Sequence, residues 1–364
     1  MVSTSYPADA QDWRGVFISH LVKALASRND VKLMLWAPPG MVPAKVVSTA
    51  SRRESAWLSQ LMAAGGIAHL MREGGWRTRL APVQLLRFLH SAYRRDPLPD
   101  LYHVNWLQNA LPLPDNGRPV LVSVLGTDMQ LMKLPGMLQL LRRRFRKRPV
   151  AICPNAEWMV PHLQGWFGDV ASIRYVPFGI EERWYGLAAA ARTDRRWLCV
   201  SRLTEGKIGP LFEWCEPHFA DGTRQLHLLG PMQQSMQVPG WVHYHGPTDP
   251  IALSTVWFPG ACGLITLSRH AEGRPQVMLE AMAAGLPILA STIPAHTDLL
   301  RHRETGWLCN GQTDVEAGLR ALEDDAIHQR ISGNAKAWVQ SHVGTWDDCA
   351  DRYASVYRDL LGRA

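Results

Sequence analysis

The sequence predicts an α/β protein of two doubly wound domains facing across a cleft, and three observations lead there. Short β-rich runs alternate with helix-period segments from one end of the chain to the other, as βαβ units require. At 364 residues the chain is long for one core and right for two of ordinary size. The pattern pauses between Pro177 and Arg195, where Pro-Phe-Gly meets an Ala-rich polar stretch, and then restarts.

In the first half, Val31 to Ala37, Leu101 to Trp106, Pro119 to Leu125, Val150 to Cys153 and Ile173 to Val176 read as strands. Between them lie amphipathic segments: one from Gly15 with Phe17, Leu21, Ala24 and Leu25 on one face, one from Ser55 to Met71, and one from Val83 to Tyr93. The second half repeats the scheme with Trp197 to Ser201, Gln225 to Leu229, Val242 to Tyr244, Gly263 to Leu267, Pro287 to Ala290 and Trp307 to Cys309. Val2 to Ser5 is all there is of a first strand, which in a doubly wound sheet is central; either the natural start lies a few codons upstream or this strand is unusually short.

Composition narrows the class. Hydrophobic residues at 46% and charged residues at 20% exclude disorder, collagen and coiled coil. Apolar runs such as Val120 to Leu125 and Gly285 to Ala290 stop far short of a membrane-spanning length, and no secretory signal is visible, so a cytoplasmic location is expected. Six cysteines lie far apart without a Cys-x-x-Cys pair, which fits reduced, buried thiols. Charge is uneven: residues 1–180 carry 22 Lys and Arg against 11 Asp and Glu, residues 181–364 carry 17 against 21. The densest run, Arg142-Arg143-Arg144-Phe145-Arg146-Lys147-Arg148, follows apolar Leu138 to Leu141. It is either a solvated helix face or a site of attraction to an anionic membrane surface. No stacking motif or helix-turn-helix pattern accompanies it, so nucleic acid is not the expected partner.

The chemistry concentrates in Ser268-Arg-His-Ala-Glu272-Gly273-Arg274-Pro275-Gln-Val-Met-Leu-Glu280-Ala-Met-Ala-Ala-Gly285-Leu-Pro287. Pro275 is suited to open a helix of about three turns and Gly285 to end it. The positive end of that helix and the loop Glu272-Gly273-Arg274 would receive an anion at the end of a strand. Glu272 before the helix and Glu280 inside it can address two parts of one extended ligand. A second cluster, Ser201-Arg202-Leu-Thr-Glu-Gly206-Lys207, places two cations where a predicted strand ends. Ile208 after Lys207 and the missing earlier glycine exclude a phosphate-binding P-loop; there is no Gly-x-Gly-x-x-Gly, no Gly-x-Ser-x-Gly and no Asp-x-Asp.

Together these residues resemble the retaining glycosyltransferases of family 4, which have the two-domain GT-B fold. The resemblance covers nearly the whole chain and is strongest from Trp197 to Gly311, where Glu272 and Glu280 match the family's two glutamates separated by seven residues. It implies an acceptor-binding domain at 1–180, a nucleotide-sugar-binding domain at 181–345, and a helix over 346–364 that packs back on the first domain. It also implies that Glu272 contacts the transferred sugar, that Glu280 contacts the ribose, and that Arg202 and Lys207 neutralise the donor diphosphate. Gly273, Arg274 and Pro275 would line the donor loop. Gly15 matches one of two family glycines, with Arg14 in the place of the other. Leu125 stands where many relatives have a His that positions acceptor or sugar, so that role passes to Asp128, to His103 of His103-Val-Asn105, or to neither. His270 is a further candidate. Pro177-Phe-Gly179-Ile matches the crossover.

The implied reaction moves a hexosyl group from a nucleoside diphosphate sugar to a glycan or lipid-linked glycan acceptor, with retention and with neither metal nor other cofactor, in surface polysaccharide or glycoconjugate synthesis. Peripheral attachment to the inner face of the cytoplasmic membrane through Arg142 to Arg148 would bring enzyme and acceptor together. Two other classes stay open at this point: a GT-B protein that binds or epimerises sugar nucleotides without transfer, and a basic nucleic-acid-binding protein.

Overall fold

Every strand ladder in the computed structural model is parallel. The structure describes residues 1–9, 11–66, 80–187 and 195–362. The chain divides into two compact units, Met1–Phe178 with Trp346–Ala364, and Gly179–Thr345.

In the first unit, β1 (Met34–Leu35) pairs with β2 (Val47–Ser48), and β3 (Tyr102–Asn105), β4 (Val120–Val124), β5 (Val150–Pro154) and β6 (Ser172–Ile173) follow in that order. Val2 joins the two groups, bridging Trp36 on one side and Val104 on the other. The expected central first strand is therefore there, reduced to a single bridged residue. Val31 to Ala37 pairs with β2 over Met34–Leu35 alone, because β2 offers only Val47 and Ser48 as partners, and with Val2 at Trp36. The sixth strand is likewise shorter than expected, although Arg174 and Val176 continue to donate to Ile152 and Pro154.

Strands buried on both faces explain the unbroken apolar runs. Val104, Val122 and Ile152 pack against α2 (Arg52–Ala63), α3 (Ala81–Ala92), α4 (Met137–Phe145) and α5 (Val160–Phe167). Leu121, Ala151 and Cys153 face the other way, toward α1 (Val16–Ser27) and the terminal helix Trp346–Leu360, with Ile18, Leu21, Cys349 and Tyr353 between. Helix α2 starts earlier than its periodicity suggests, because Ser51 and Glu54 form a reciprocal capping box. The predicted continuation to Met71 falls on residues outside those described.

The basic run is not one free face, which corrects the sequence reading. Leu141 and Phe145 are core. Arg148 is buried, its guanidinium donating to the Pro114 carbonyl. Arg142 pairs with Asp169, and Arg144 and Lys147 pair with Asp115. Arg143 and Arg146 are exposed, as are Leu134 and Leu140. The helical period forces this split, since every third or fourth position of α4 must face the core.

The second unit holds a six-stranded sheet built from β7 (Arg196–Val200), β8 (Gln225–Leu229), β9 (Val242–Gly246), β10 (Gly263–Thr266), β11 (Ile288–Ser291) and β12 (Trp307–Cys309). Its order is β12-β11-β10-β7-β8-β9. One face packs on α7 (Gln276–Ala283) and α9 (Asp325–His342) through Met278, Met282, Ala335 and Val339. The other packs on α6 (Leu211–Phe219) and α8 (Gln312–Glu323) through Leu211, Phe219, Val315 and Leu319. All six cysteines are free and buried.

Helix α7 is shorter than expected. Pro275 has ψ 114°, extended rather than helical, so it precedes the helix as its cap, and eight residues follow. Gly285 at φ 71° then turns the chain toward β11.

Candidate functional site

Strand order in the second unit reverses between β10 and β7, and in open parallel sheets a ligand crevice forms there, beyond the carboxyl ends of the strands. The two loops that leave these strands carry both motifs. After β7 comes Ser201 to Thr204 and the short helical turn Glu205–Ile208; after β10 comes Leu267 to Pro275. They are stitched together, since Arg269 N–H donates to the Gly206 carbonyl at 2.8 Å. Gly209, at φ 54°, lets the first loop pass so close that a Cβ would lie 2.3 Å from the Leu267 carbonyl oxygen.

This approach brings Lys207 to Glu272. Nζ donates to Oε2, with the two side chains 16% and 14% exposed. Arg202 donates to Gln233 Oε1 at 3.3 Å, and Glu272 acts favourably on its charge against the cost of burial. Two cations and a carboxylate thus share one partly open corner, able to take an anion and a hydroxylated group together.

The remaining donor-side residues sort differently. Arg274 turns inward and pairs with Asp298 at 2.7 Å, its side chain 1% exposed. Its guanidinium is thereby committed to fastening the Glu272 loop to the turn Pro294–Thr297. Gly273 and Pro275 of the same loop are buried. Glu280 is half-buried on α7, where burial first and the charge of Glu181 second push its carboxyl up to about 8, with Arg183 opposing. His270 N–H donates to Ser268 Oγ at 3.1 Å.

The first-unit candidates lie apart from these in the chain's division and are occupied by their own interior. His103 is enclosed, with Nε2 2.8 Å from Ser123 Oγ and Nδ1 bonded to the Tyr357 hydroxyl. Burial holds its pKa well below the usual imidazole range. Asp128 has no exposed surface and accepts from the N–H groups of Leu107 at 3.2 Å and Leu125 at 3.3 Å. Burial pushes it up to about 6 against those bonds. Gly15 caps α1 at φ 71°, and a Cβ there would lie 2.5 Å from Ser5 Oγ, so the glycine is demanded locally.

One residue that sequence reasoning missed is His296. Its ring is fully buried and Nε2 lies 4.0 Å from Glu272 Oε1. The available signal was its place just past a third strand of the same sheet, five residues after Ser291 at the end of β11. Among the described residues no group of three His, Cys, Asp or Glu side chains is arranged to hold a metal ion, and no helix is long and apolar enough to cross a membrane.

Comparison with known proteins places these features. The family described as "Glycosyl transferases group 1" matches residues 255–338, the stretch that holds Glu272, Glu280 and His296. A GDP-mannose-dependent α-(1-6)-phosphatidylinositol monomannoside mannosyltransferase of Mycobacterium tuberculosis is 26% identical over 224 residues, 53% of this chain and 57% of that protein. Glycosyltransferase 1 domain-containing protein 1 of Xenopus tropicalis is 32% identical over 94 residues, 26% of this chain and 27% of that one. The matched stretches thus span from about a quarter to little more than half of these relatives. Among solved structures, sucrose-phosphate synthase from Thermosynechococcus elongatus superposes with a TM-score of 0.68 at 16% identity, covering 96% of this chain and 94% of that one. HepE of Anabaena, solved with UDP and glucose, gives 0.65 at 13% identity over 95% and 96%. This chain therefore has the GT-B glycosyltransferase fold and carries, in its second unit, the segment of the group 1 glycosyl transferases.

Proposed function

We propose that the protein is a hexosyltransferase that moves a sugar from a nucleoside diphosphate to a hydroxyl of a glycan or lipid-linked glycan. The observation that carries this reading is the meeting of Lys207 and Glu272 at the switch point of the second sheet, with Arg202 beside them. The relatives support it: one is named for GDP-mannose, and HepE was solved with UDP and glucose.

In this reading Lys207 and Arg202 neutralise charge that builds on the departing diphosphate, work worth on the order of 2 to 4 kcal/mol for a placed donor in a water-poor site. That is the task a metal performs in other enzymes, and two fixed cations make the reaction metal-independent. Glu272 holds a hydroxyl of the transferred sugar and Glu280 the ribose. The acceptor attacks from the face the diphosphate leaves, which retains configuration, and a diphosphate oxygen takes the acceptor proton. The acceptor is the business of the first unit. Exposed Arg143 and Arg146, with Leu134 and Leu140, recruit that unit to anionic lipid, as surface polysaccharide or glycoconjugate synthesis requires.

The test is a panel of UDP-, GDP-, ADP- and dTDP-hexoses scored by thermal shift, then by mass spectrometry of a glycan acceptor with and without EDTA. A donor that binds at 100 times its Kd adds about 2.7 kcal/mol of stability. Binding without product for any acceptor would favour the sugar-nucleotide-binding alternative, and loss of product with EDTA would remove metal independence.

A further inference from the structure

The two nitrogens of His296 meet different surroundings. Nδ1 lies 3.0 Å from the Ser291 carbonyl oxygen and 3.1 Å from Ser291 Oγ, while that hydroxyl donates its own proton to the Ser268 carbonyl at 2.6 Å. A carbonyl oxygen only accepts, so Nδ1 carries the hydrogen and Nε2 is the bare nitrogen of the neutral ring. Buried Nε2 has no hydrogen-bond partner and lies 4.0 Å from Glu272 Oε1. Two acceptors therefore face each other with no proton between them. The arrangement holds while Lys207 satisfies Glu272 through the other oxygen.

A donor diphosphate disturbs that balance, because it competes for the ammonium of Lys207. We propose that His296 is the reserve partner of Glu272: as the diphosphate draws Lys207 away, Nε2 takes a proton from solvent and donates it to Oε1, so donor binding is accompanied by proton uptake. The inference rests on the nucleotide-sugar reading of this site. It makes His296 a positioning residue that acts through Glu272 and keeps the carboxylate in place for the sugar.

The charges around the ring agree. Burial and Lys207 hold the proton affinity of His296 down, while Glu272 pulls it up. Moving Lys207 onto a diphosphate removes one of the two depressing influences and leaves the pull of Glu272 unopposed by it. Asp298, on the same turn, is committed to Arg274. The ring's other partner, Ser291, is uncharged.

Titration calorimetry at pH 7 decides the matter, run with UDP-, GDP-, ADP- and dTDP-hexoses in two buffers of different ionisation heat. Nucleotide sugars are diphosphate diesters with no group that titrates near neutrality, so protons counted belong to the protein. A proton that moves on Glu280 or on another group of the site is common to the parent and His296→Asn, and their comparison cancels it. The variant should take up close to one proton fewer per donor bound, and donor affinity in the parent should fall with rising pH by up to tenfold per unit more than in the variant. Equal proton counts in parent and variant, both folded by circular dichroism, overturn the proposal. A second arm needs no donor: in Lys207→Gln the His296 imidazole should titrate at higher pH than in the parent by NMR, and an unchanged midpoint overturns it as well. Absence of heat with every donor rejects the nucleotide-sugar reading itself, whereas binding without a difference in protons rejects the role of His296 alone.

Discussion

Both units are parallel sheets covered on two faces, and both carry polar side chains on their strands or on the segments that follow them, yet those side chains do opposite things. In the first unit His103, Ser123 and Asp128 bond to one another's neighbourhood and to backbone, with almost no exposed surface. In the second, Lys207 and Glu272 keep an opening to solvent, Glu280 stays half-buried and His296 leaves a nitrogen unpartnered. Satisfied polar groups stabilise a unit, whereas groups left partly unsatisfied are positioned for a ligand. The contrast holds for these residues and not for every polar group of the two units, since buried Asn105, Asn109 and Asn155 of the first unit also leave a side-chain oxygen without a partner.

That contrast can be broken by substitution. Lys207→Ala and Glu272→Ala should lower turnover by about a hundred- to a thousandfold while the melting temperature stays near the parent's. Steady-state kinetics against thermal unfolding checks this, and turnover within about tenfold of the parent would place either residue outside the site. Next in size, Asp128→Asn should act on stability. The folded pKa of Asp128 is raised, so its contribution is present in full below about pH 4 and is lost as pH rises through about 6. The loss amounts to roughly 3 kcal/mol, and the Asn variant should lack it in denaturant titrations of the first unit between pH 4 and pH 7. A catalytic Asp128 would instead show lost turnover with stability unchanged.

Smaller effects sharpen the picture. The carboxyl of Glu280 is pushed up to about 8 and is mostly protonated in the empty protein at pH 7. If its carboxylate holds the ribose, donor affinity should gain about tenfold between pH 7 and pH 9 through this group, and Glu280→Gln should lose that gain. The smallest effect is expected at the first unit's surface. Arg143→Gln with Arg146→Gln should weaken sedimentation with anionic vesicles by about 1 kcal/mol per residue or less, fading with salt. Unchanged partitioning would remove the membrane surface from the proposal.

Much of the frame was legible. The strands of the second unit fall within a residue or two of their apolar runs, because central parallel strands must be apolar on both faces. The first unit was harder at β1 and β6, where pairing length depends on partners that a local run does not reveal. Glu272 and Lys207 were readable from spacing and punctuation. Arg274 was not, since only the fold brings Asp298 beside it, 24 residues on. His296 and Gln233 escaped for the same reason, because the contacts that single them out join separate strand ends of one sheet.

The terminal helix Trp346–Leu360 sets an order of events in synthesis. It completes one core layer of the first unit, where Trp346, Cys349, Ala350, Tyr353 and Val356 cover Leu121, Ala151 and Cys153. Those residues leave the ribosome only after the whole of Gly179–Thr345 has been made. At about 5 to 20 residues per second the interval is roughly 10 to 40 s, during which the first unit shows an uncovered apolar face. The second unit meanwhile holds all of its own layers in one continuous stretch of chain. A chain truncated after Thr345 and released from the ribosome should therefore carry every layer of the second unit and a first unit whose uncovered face chaperones still recognise.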